Sequence, residues 1–403
     1  MLKNKPREGT ILILLLCMGL CLRIAAAVSI EGFSSDIHLF RNWAGTAADN
    51  LGQFYFKSSS DYPPLYIYVL FLIGKLLSFP AISPYTVLII KLPAILADLA
   101  TALFIFKVAS KYHSRKTGIL LAAYYLFNPA VWINSSLWGQ VDSFFTLLIV
   151  AAVYLLTEKK LGFSAVFFTA AVLMKPQGII FLPVLFFELV RTKKMGDILK
   201  AMVSAIITAL IIILPFSLNR GLTWIYQLFA GTVAEYPYAS VNAFNLYGLL
   251  GANYVNDAKT LLLFSYHRWG LILIVLTTLF SWLVYIKGNS RRFAFAAAML
   301  QIMGVFTLAT RMHERYLFPA IALAVFAWIY LKDKRLFFLA GGVSVTSFFN
   351  TFFILFHTSR IMDSSGYGFW LRIISLLNVL LLIWAAKTVF DLALNRKSDD
   401  NMF

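Results

Sequence analysis

Charge is scarce in this chain. Asp, Glu, Lys and Arg make up 13% of its 403 residues. A soluble domain carries about a quarter. A chain this poor in charge cannot cover a water-facing surface, which also excludes disorder and long coiled coils. Cysteine is nearly absent: Cys17 and Cys21 are the two present. They sit one helical turn apart in the first apolar run and read as lipid-facing or packing residues. They say nothing about redox compartment, and thiolate zinc sites are excluded. Walker, Rossmann and other Gly-rich phosphate loops are missing, and so is any internal repeat. The missing repeat counts against a transporter built from two halves.

Apolar sequence is what the chain has in abundance. Hydrophobic residues reach 60% and mean hydropathy is +0.79. The reading is an all-α polytopic membrane protein, with the bilayer as its main solvent. Expected spans are 11–30, 85–107, 117–134, 142–157, 161–175, 178–191, 199–217, 269–287, 292–310, 317–331, 335–356 and 369–390, about 12 in all. Ala25-Ala26-Ala27 resembles a signal-peptidase site, but Arg23 and the length of the run favour an uncleaved first span. The stretch 65–79 is read as interfacial or re-entrant.

The net charge of +17 (35 Lys and Arg against 18 Asp and Glu) is topological on this reading. Cytoplasmic loops collect Lys and Arg. With the spans above, most of the basic residues fall in short segments on one side: 1–10, 107–116, 159–160, 191–200, 287–292, 332–335 and 387–397. Both termini are then cytoplasmic in a cell-membrane protein, and no nucleic acid is implied. The other face holds a long first loop, 31–84, with interfacial helices, and a second, 218–268. The chain reads as one integral-membrane domain over 1–403.

Candidate chemistry crowds that outer face. Asp36 follows the first span in GFSSDIHLFRNWA, where Ile37, Phe40, Trp43 and Ala44 form the apolar side of a short helix on the membrane. A carboxylate there suits a general base; Ser34, Ser35 and Asp36 equally suit a helix cap. Asp61 in DYPPLY precedes two prolines that start a helix, and either caps it or lines a site. In NPAVWINSSLWGQVDS, Trp138, Gln140 and Asp142 have the composition of a sugar site, a stacking ring beside paired hydrogen-bonding groups. Asp142 could instead cap the next span.

Cations on that face go against the charge bias. Lys175 in MKPQG, beside Gln177, needs a partner or a ligand unless it snorkels. In TRMHERYLFP, Arg311 and Arg315 are four apart, so one helical turn would align them. With His313 and Glu314 they form either a phosphate seat or an internal Arg–Glu network. Asn242 and Asn245 in SVNAFN read sugar hydroxyls or satisfy loop backbone. Lys91, Asp98 and Glu188, inside spans, are read as packing charges. No metal or cofactor is called for.

Taken in order along the chain, the Asp36 loop, DYPPLY, WGQVDS, MKPQG, SVNAFN and RMHERYLFP resemble the GT-C superfamily of polytopic glycosyltransferases. The pattern is similar to the bacterial mannosyltransferases related to the second mannosyltransferase of GPI-anchor synthesis, and to dolichyl-phosphate-glucose glucosyltransferases. The resemblance implies inverting transfer of a hexose, mannose or glucose, from a polyprenyl-phosphate sugar to an acceptor hydroxyl on a glycan, lipid or protein. It makes Asp36 the base. It gives Lys175, Arg311, His313 and Arg315 the leaving phosphate, and Asp61 and Asp142 the sugar or the first-loop helices. A transporter or flippase of lipid-linked saccharides is the alternative. A noncatalytic subunit of an envelope-polymer assembly is the third reading.

Overall fold

The computed structural model describes residues 5–218, 220–221, 223–357 and 364–395. Lys3, Arg396 and Lys397, counted above as cytoplasmic anchors, lie outside these residues. The protein is a polytopic helical membrane protein. Among the described residues, seven helices are long and apolar enough to cross a bilayer: Glu8–Ser29, Ser83–Tyr112, Met195–Ser217, Tyr266–Gly288, Arg291–Leu308, Lys334–Phe356 and Tyr367–Asn395. Four shorter apolar helices are Pro64–Leu77, Asp142–Thr157, Leu161–Val172 and Pro319–Leu331.

Pro64–Leu77 has 14 residues. It rises about 21 Å at 1.5 Å per residue, short of a hydrocarbon core about 30 Å thick. The region expected to span at 117–134 is also interrupted. The helix Arg115–Leu126 ends before Asn128-Pro129, where the Asn128 side chain caps a single turn, Pro129–Trp132. A π-helical turn, Ile133–Trp138, follows. Proline cannot donate its backbone nitrogen and the residue before it avoids helix, so the apolar run breaks there.

The chain forms two compact units: 1–148 with 169–178 and 205–233, and 149–168 with 179–204 and 234–403. In the first, the helix Ser34–Asp49 buries Ile37, Phe40, Trp43, Ala44 and Ala47. Helical periodicity anticipated that face, but its neighbour is protein and not membrane. It lies against Pro64–Leu77, with Phe40 edge-on to Tyr62 and Tyr66 at 5.7 and 5.8 Å between ring centres. The two helices approach closely at Gly74, where a Cβ would stand 2.1 Å from the carbonyl oxygen of Ala44.

Arg23, Lys91, Asp98 and Glu188, buried within their helices, all have partners. Arg23 donates from Nε to Asp98 at 2.8 Å, both fully buried. It also donates to the carbonyls of Gly19 and Leu126. Lys91 Nζ donates to the carbonyls of Ala27 and Ile30, near the end of the first helix. A cation there complements the partial negative charge of the helix terminus. In the second unit, buried Glu188 pairs with Arg191 and Arg291 and accepts the Tyr285 hydroxyl at 2.7 Å. The packing role expected for Lys91, Asp98 and Glu188 matches these contacts.

Candidate functional site

In the first unit, four of the motifs meet. The π-turn ends at Gly139, whose φ of 90° lies in the left-handed region. A Cβ there would also stand 2.7 Å from Ile37 Cδ1. Glycine is therefore required, and the turn carries Trp138, Gln140 and Asp142 to one place. The Asp36 loop is fastened to it. Phe33 N–H donates to the Trp138 carbonyl at 3.2 Å, and the Phe33 and Trp138 rings stack at 4.8 Å. Trp138 Nε1 donates to Asp36 Oδ2 at 2.7 Å, and Gln140 Nε2 donates to the same oxygen.

Asp142 is engaged on both oxygens. Lys175 Nζ lies 2.5 Å from Oδ1, and Asn134 Nδ2 donates to Oδ2 at 3.1 Å. All three residues are buried. Lys175 also stands over the Tyr62 ring of DYPPLY at 6.0 Å. The peptide N–H of Leu65 donates to the Leu173 carbonyl at 2.8 Å. This ties the first turn of Pro64–Leu77, whose N–H groups lack partners within the helix, to the MKPQG turn. The Asp61 carbonyl accepts Thr232 Oγ1 at 2.9 Å. Asn134, Phe33 and Tyr62 were not singled out in the sequence. Asn134 lies within the quoted motif, eight positions before Asp142.

The chemical character of this cluster is that of an acceptor. Three amide oxygens, Asn134 Oδ1, Gln140 Oε1 and Gln177 Oε1, are buried with no protein partner. Lys175 neutralises Asp142, so Asp36, half-buried, supplies the negative charge. Buried polar atoms without partners are rare, and each calls for a ligand, water or functional explanation. Acceptors of this kind suit hydroxyl or ammonium donors.

The second unit contains the remaining motifs. Residues 309–313 are irregular, with His313 bridged to Val241 and Asn242, residues 314–318 form turns, and Arg311 has φ 63°. No helical turn aligns Arg311 with Arg315. Arg311 Nε pairs with Asp257 at 2.6 Å, and Asp257 also faces His267 Nδ1 at 3.3 Å. Arg315 pairs with Glu314, which lies 4.0 Å from His313 Nδ1. The His313 ring sits edge-on to Tyr236 at 4.7 Å. Of the two alternatives for this cluster, these contacts match the internal network. Asp257, in the second long loop, is the partner that sequence reading missed.

The amides of SVNAFN are engaged within the protein. Asn242, at φ 56°, exchanges hydrogen bonds with Asn253 and Tyr254 and accepts from Tyr367. Asn245 caps Leu246–Leu249 through its side-chain oxygen and donates to the Ala309 carbonyl.

Fold and site together define a polytopic membrane protein with a polar, acceptor-rich cluster beside the ends of apolar helices. The family described as GPI transamidase subunit PIG-U matches residues 33–235, just over half of the chain. The chain belongs to that family. No curated protein matches it. The match begins three residues before Asp36 and takes in every candidate of the first unit; Asn242, Asn245 and residues 311–315 lie beyond it.

This family overturns the GT-C resemblance and what it implied. The chain is not assigned as a polyprenyl-phosphate-sugar hexosyltransferase or mannosyltransferase, nor as a flippase, and the lipid-phosphate sugar donor loses its support. The contacts give a physical reason. The cations reserved for a leaving phosphate, Lys175, Arg311 and Arg315, each carry a carboxylate within the protein.

Proposed function

We propose that the chain is a noncatalytic membrane subunit of a GPI-transamidase-type assembly, and that its first-unit cluster holds the glycan part of a glycolipid. The family supports the assembly. The single observation offered in support of glycan binding is a group of buried oxygens near half-buried Asp36: Asn134 Oδ1, Gln140 Oε1 and, in the MKPQG turn, Gln177 Oε1 have no hydrogen-bond partner within the protein. Sugar hydroxyls are donors of the matching kind, and the buried Trp138 ring, stacked on Phe33, fixes the turn that carries these groups.

Cys17 and Cys21 are exposed on the first apolar helix, and the proposal gives neither a catalytic role. In this reading Asp36 binds, and Asp61, Trp138, Gln140, Asp142, Lys175 and Gln177 shape or support the glycan seat. The residues Asn242, Asn245, Arg311, His313, Glu314 and Arg315 hold their own loops in place. The basic loops lie on the cytoplasmic side of the cell membrane with both termini, and the glycan seat lies on the opposite face.

The test purifies the full chain from its native membrane in mild detergent and identifies what accompanies it by mass spectrometry. Stoichiometric protein partners and a bound glycolipid are expected. Asp36→Asn should lower glycolipid occupancy about tenfold, the loss of one charge-assisted hydrogen bond, and leave the partners in place. A chain that purifies alone and free of glycolipid overturns the proposal.

A further inference from the structure

A groove in the second unit has the composition of a lipid headgroup site. It encloses ≈ 610 Å³ and is lined by Lys159, Lys160 and Lys200 at its basic edge, with Asp197 beside them. Its apolar wall includes Phe163, Leu199 and Val203, which are 66, 59 and 45% exposed. The groove runs between the start of the helix Leu161–Val172 and the first turns of Met195–Ser217. Leu199, Lys200, Val203 and Ser204 are spaced to share one face of the latter helix.

Lys159 is held in an unusual conformation. It follows the helix Asp142–Thr157 with φ 64°, in the left-handed region where glycine or asparagine is normal. Its N–H donates to the Leu156 carbonyl, and that of Lys160 to the Leu155 carbonyl, so the chain turns sharply and sets two adjacent lysines at the groove. Three exposed lysines face one carboxylate, so the edge is net positive. It lies in two of the basic loops, 159–160 and 191–200, that the charge bias assigns to the cytoplasmic side.

We propose that this groove binds an anionic phospholipid, with its phosphate among Lys159, Lys160 and Lys200 and an acyl chain along Phe163, Leu199 and Val203. Charge complementarity selects the anionic headgroup, and the exposed apolar wall selects a lipid over a free anion. Basic pockets between membrane helices at the cytoplasmic surface bind such headgroups. The groove shares no residue with the glycan cluster, and its binding does not depend on the glycan proposal.

The experiment uses the full chain in neutral detergent and measures binding of dioctanoyl phosphatidylglycerol, dioctanoyl phosphatidylcholine and inorganic phosphate by calorimetry. Phosphatidylglycerol should bind at least tenfold more tightly than phosphatidylcholine, and phosphate should not displace it. Each Lys→Gln change should weaken binding about fivefold, and Lys159→Gln/Lys160→Gln/Lys200→Gln about a hundredfold. Lys107→Gln/Lys116→Gln, elsewhere on the basic side, should change nothing. The single variant Lys200→Gln serves if the triple variant loses its helical circular dichroism. Equal binding of the two lipids, displacement by phosphate, or the same loss in the Lys107/Lys116 variant overturns the proposal in favour of apolar adsorption, a free-anion site or diffuse surface charge, respectively.

Discussion

The indole N–H of Trp138 donates to Oδ2 of Asp36 at 2.7 Å, across 102 positions of sequence. That bond joins the first loop to the π-turn. Gln140 donates to the same oxygen, so one carboxylate oxygen is held by two donors from one turn.

Trp138→Phe keeps the ring against Phe33 and removes the N–H. A hydrogen bond to a charged group contributes about 1.5–3 kcal/mol; half-burial of Asp36 places the expected loss at the lower end. The apparent melting temperature in detergent should fall, and glycolipid occupancy should fall with it. Combining Trp138→Phe with Asp36→Asn should cost less than the sum of the two single losses, because they share the bond. Strict additivity in that cycle would show that the contact carries no energy.

The Lys175–Asp142 pair leads to a different expectation. Both partners are buried, so their desolvation offsets most of their attraction. Lys175→Met strands a buried carboxylate and should cost about 3–5 kcal/mol. Lys175→Met/Asp142→Leu removes both charges and should recover most of that loss, leaving the Asn134 amide as the residual defect. Thermal inactivation of the two variants decides the matter. A double variant as unstable as the single would mean that the pair is net stabilising.

Much of this architecture is legible in local pattern. Apolar runs gave the membrane class, and 3.6-residue spacing gave the buried face Ile37, Phe40 and Trp43. The residue types around Trp138 and Gln140 pointed to a polar site, and the contacts with Asp36 join two of the quoted motifs. Pairing across the sequence was not legible. Asp257 lies 54 positions from Arg311 in a loop with no periodicity, so nothing local distinguishes an ion-paired arginine from one awaiting a phosphate. Arg311 and Arg315 were aligned by assuming a helix that positive φ at Arg311 forbids. Asn242 looked like a ligand amide because polar residues that satisfy loop backbone and those that bind sugars have the same composition. The GT-C resemblance rested on the order of such motifs, and order alone does not carry chemistry.

The crossing of Ser34–Asp49 on Pro64–Leu77 depends on the missing side chain of Gly74. A methyl group there would overlap the Ala44 carbonyl oxygen and stand 2.7 Å from Ala48 Cβ. Neither neighbour is the mobile end of a long side chain. Gly74→Ala should therefore push the helices apart and destabilise the first unit by about 1–3 kcal/mol, the usual range for overpacking. Loss of yield, or a lowered melting temperature, is the expected reading. Gly231→Ala is the control, because a Cβ at that glycine meets nothing within 4 Å.

Asp333 provides a pH-dependent device at a helix start. It precedes the helix Lys334–His357, and its Oδ1 accepts the Arg335 N–H at 2.8 Å. Arg335 also donates from Nε and Nη2 to its two oxygens and from Nη1 to Asp391. The Arg335 guanidinium holds the Asp333 carboxyl below its ordinary range. A depressed folded-state value means that the unfolded chain takes up the proton first. The contribution to stability is thus complete above the unfolded value, near pH 3.9, and is lost as pH falls through the lower folded value. Asp333→Asn keeps a capping oxygen but loses the charge. Its melting temperature should fall slightly at pH 7, and its acid limb below about pH 4 should be flatter than that of the wild type. Asp333→Ala loses the cap as well and should cost about 0.5–2 kcal/mol at neutral pH. Parallel acid limbs for wild type and Asp333→Asn would show that another carboxylate governs the acid transition.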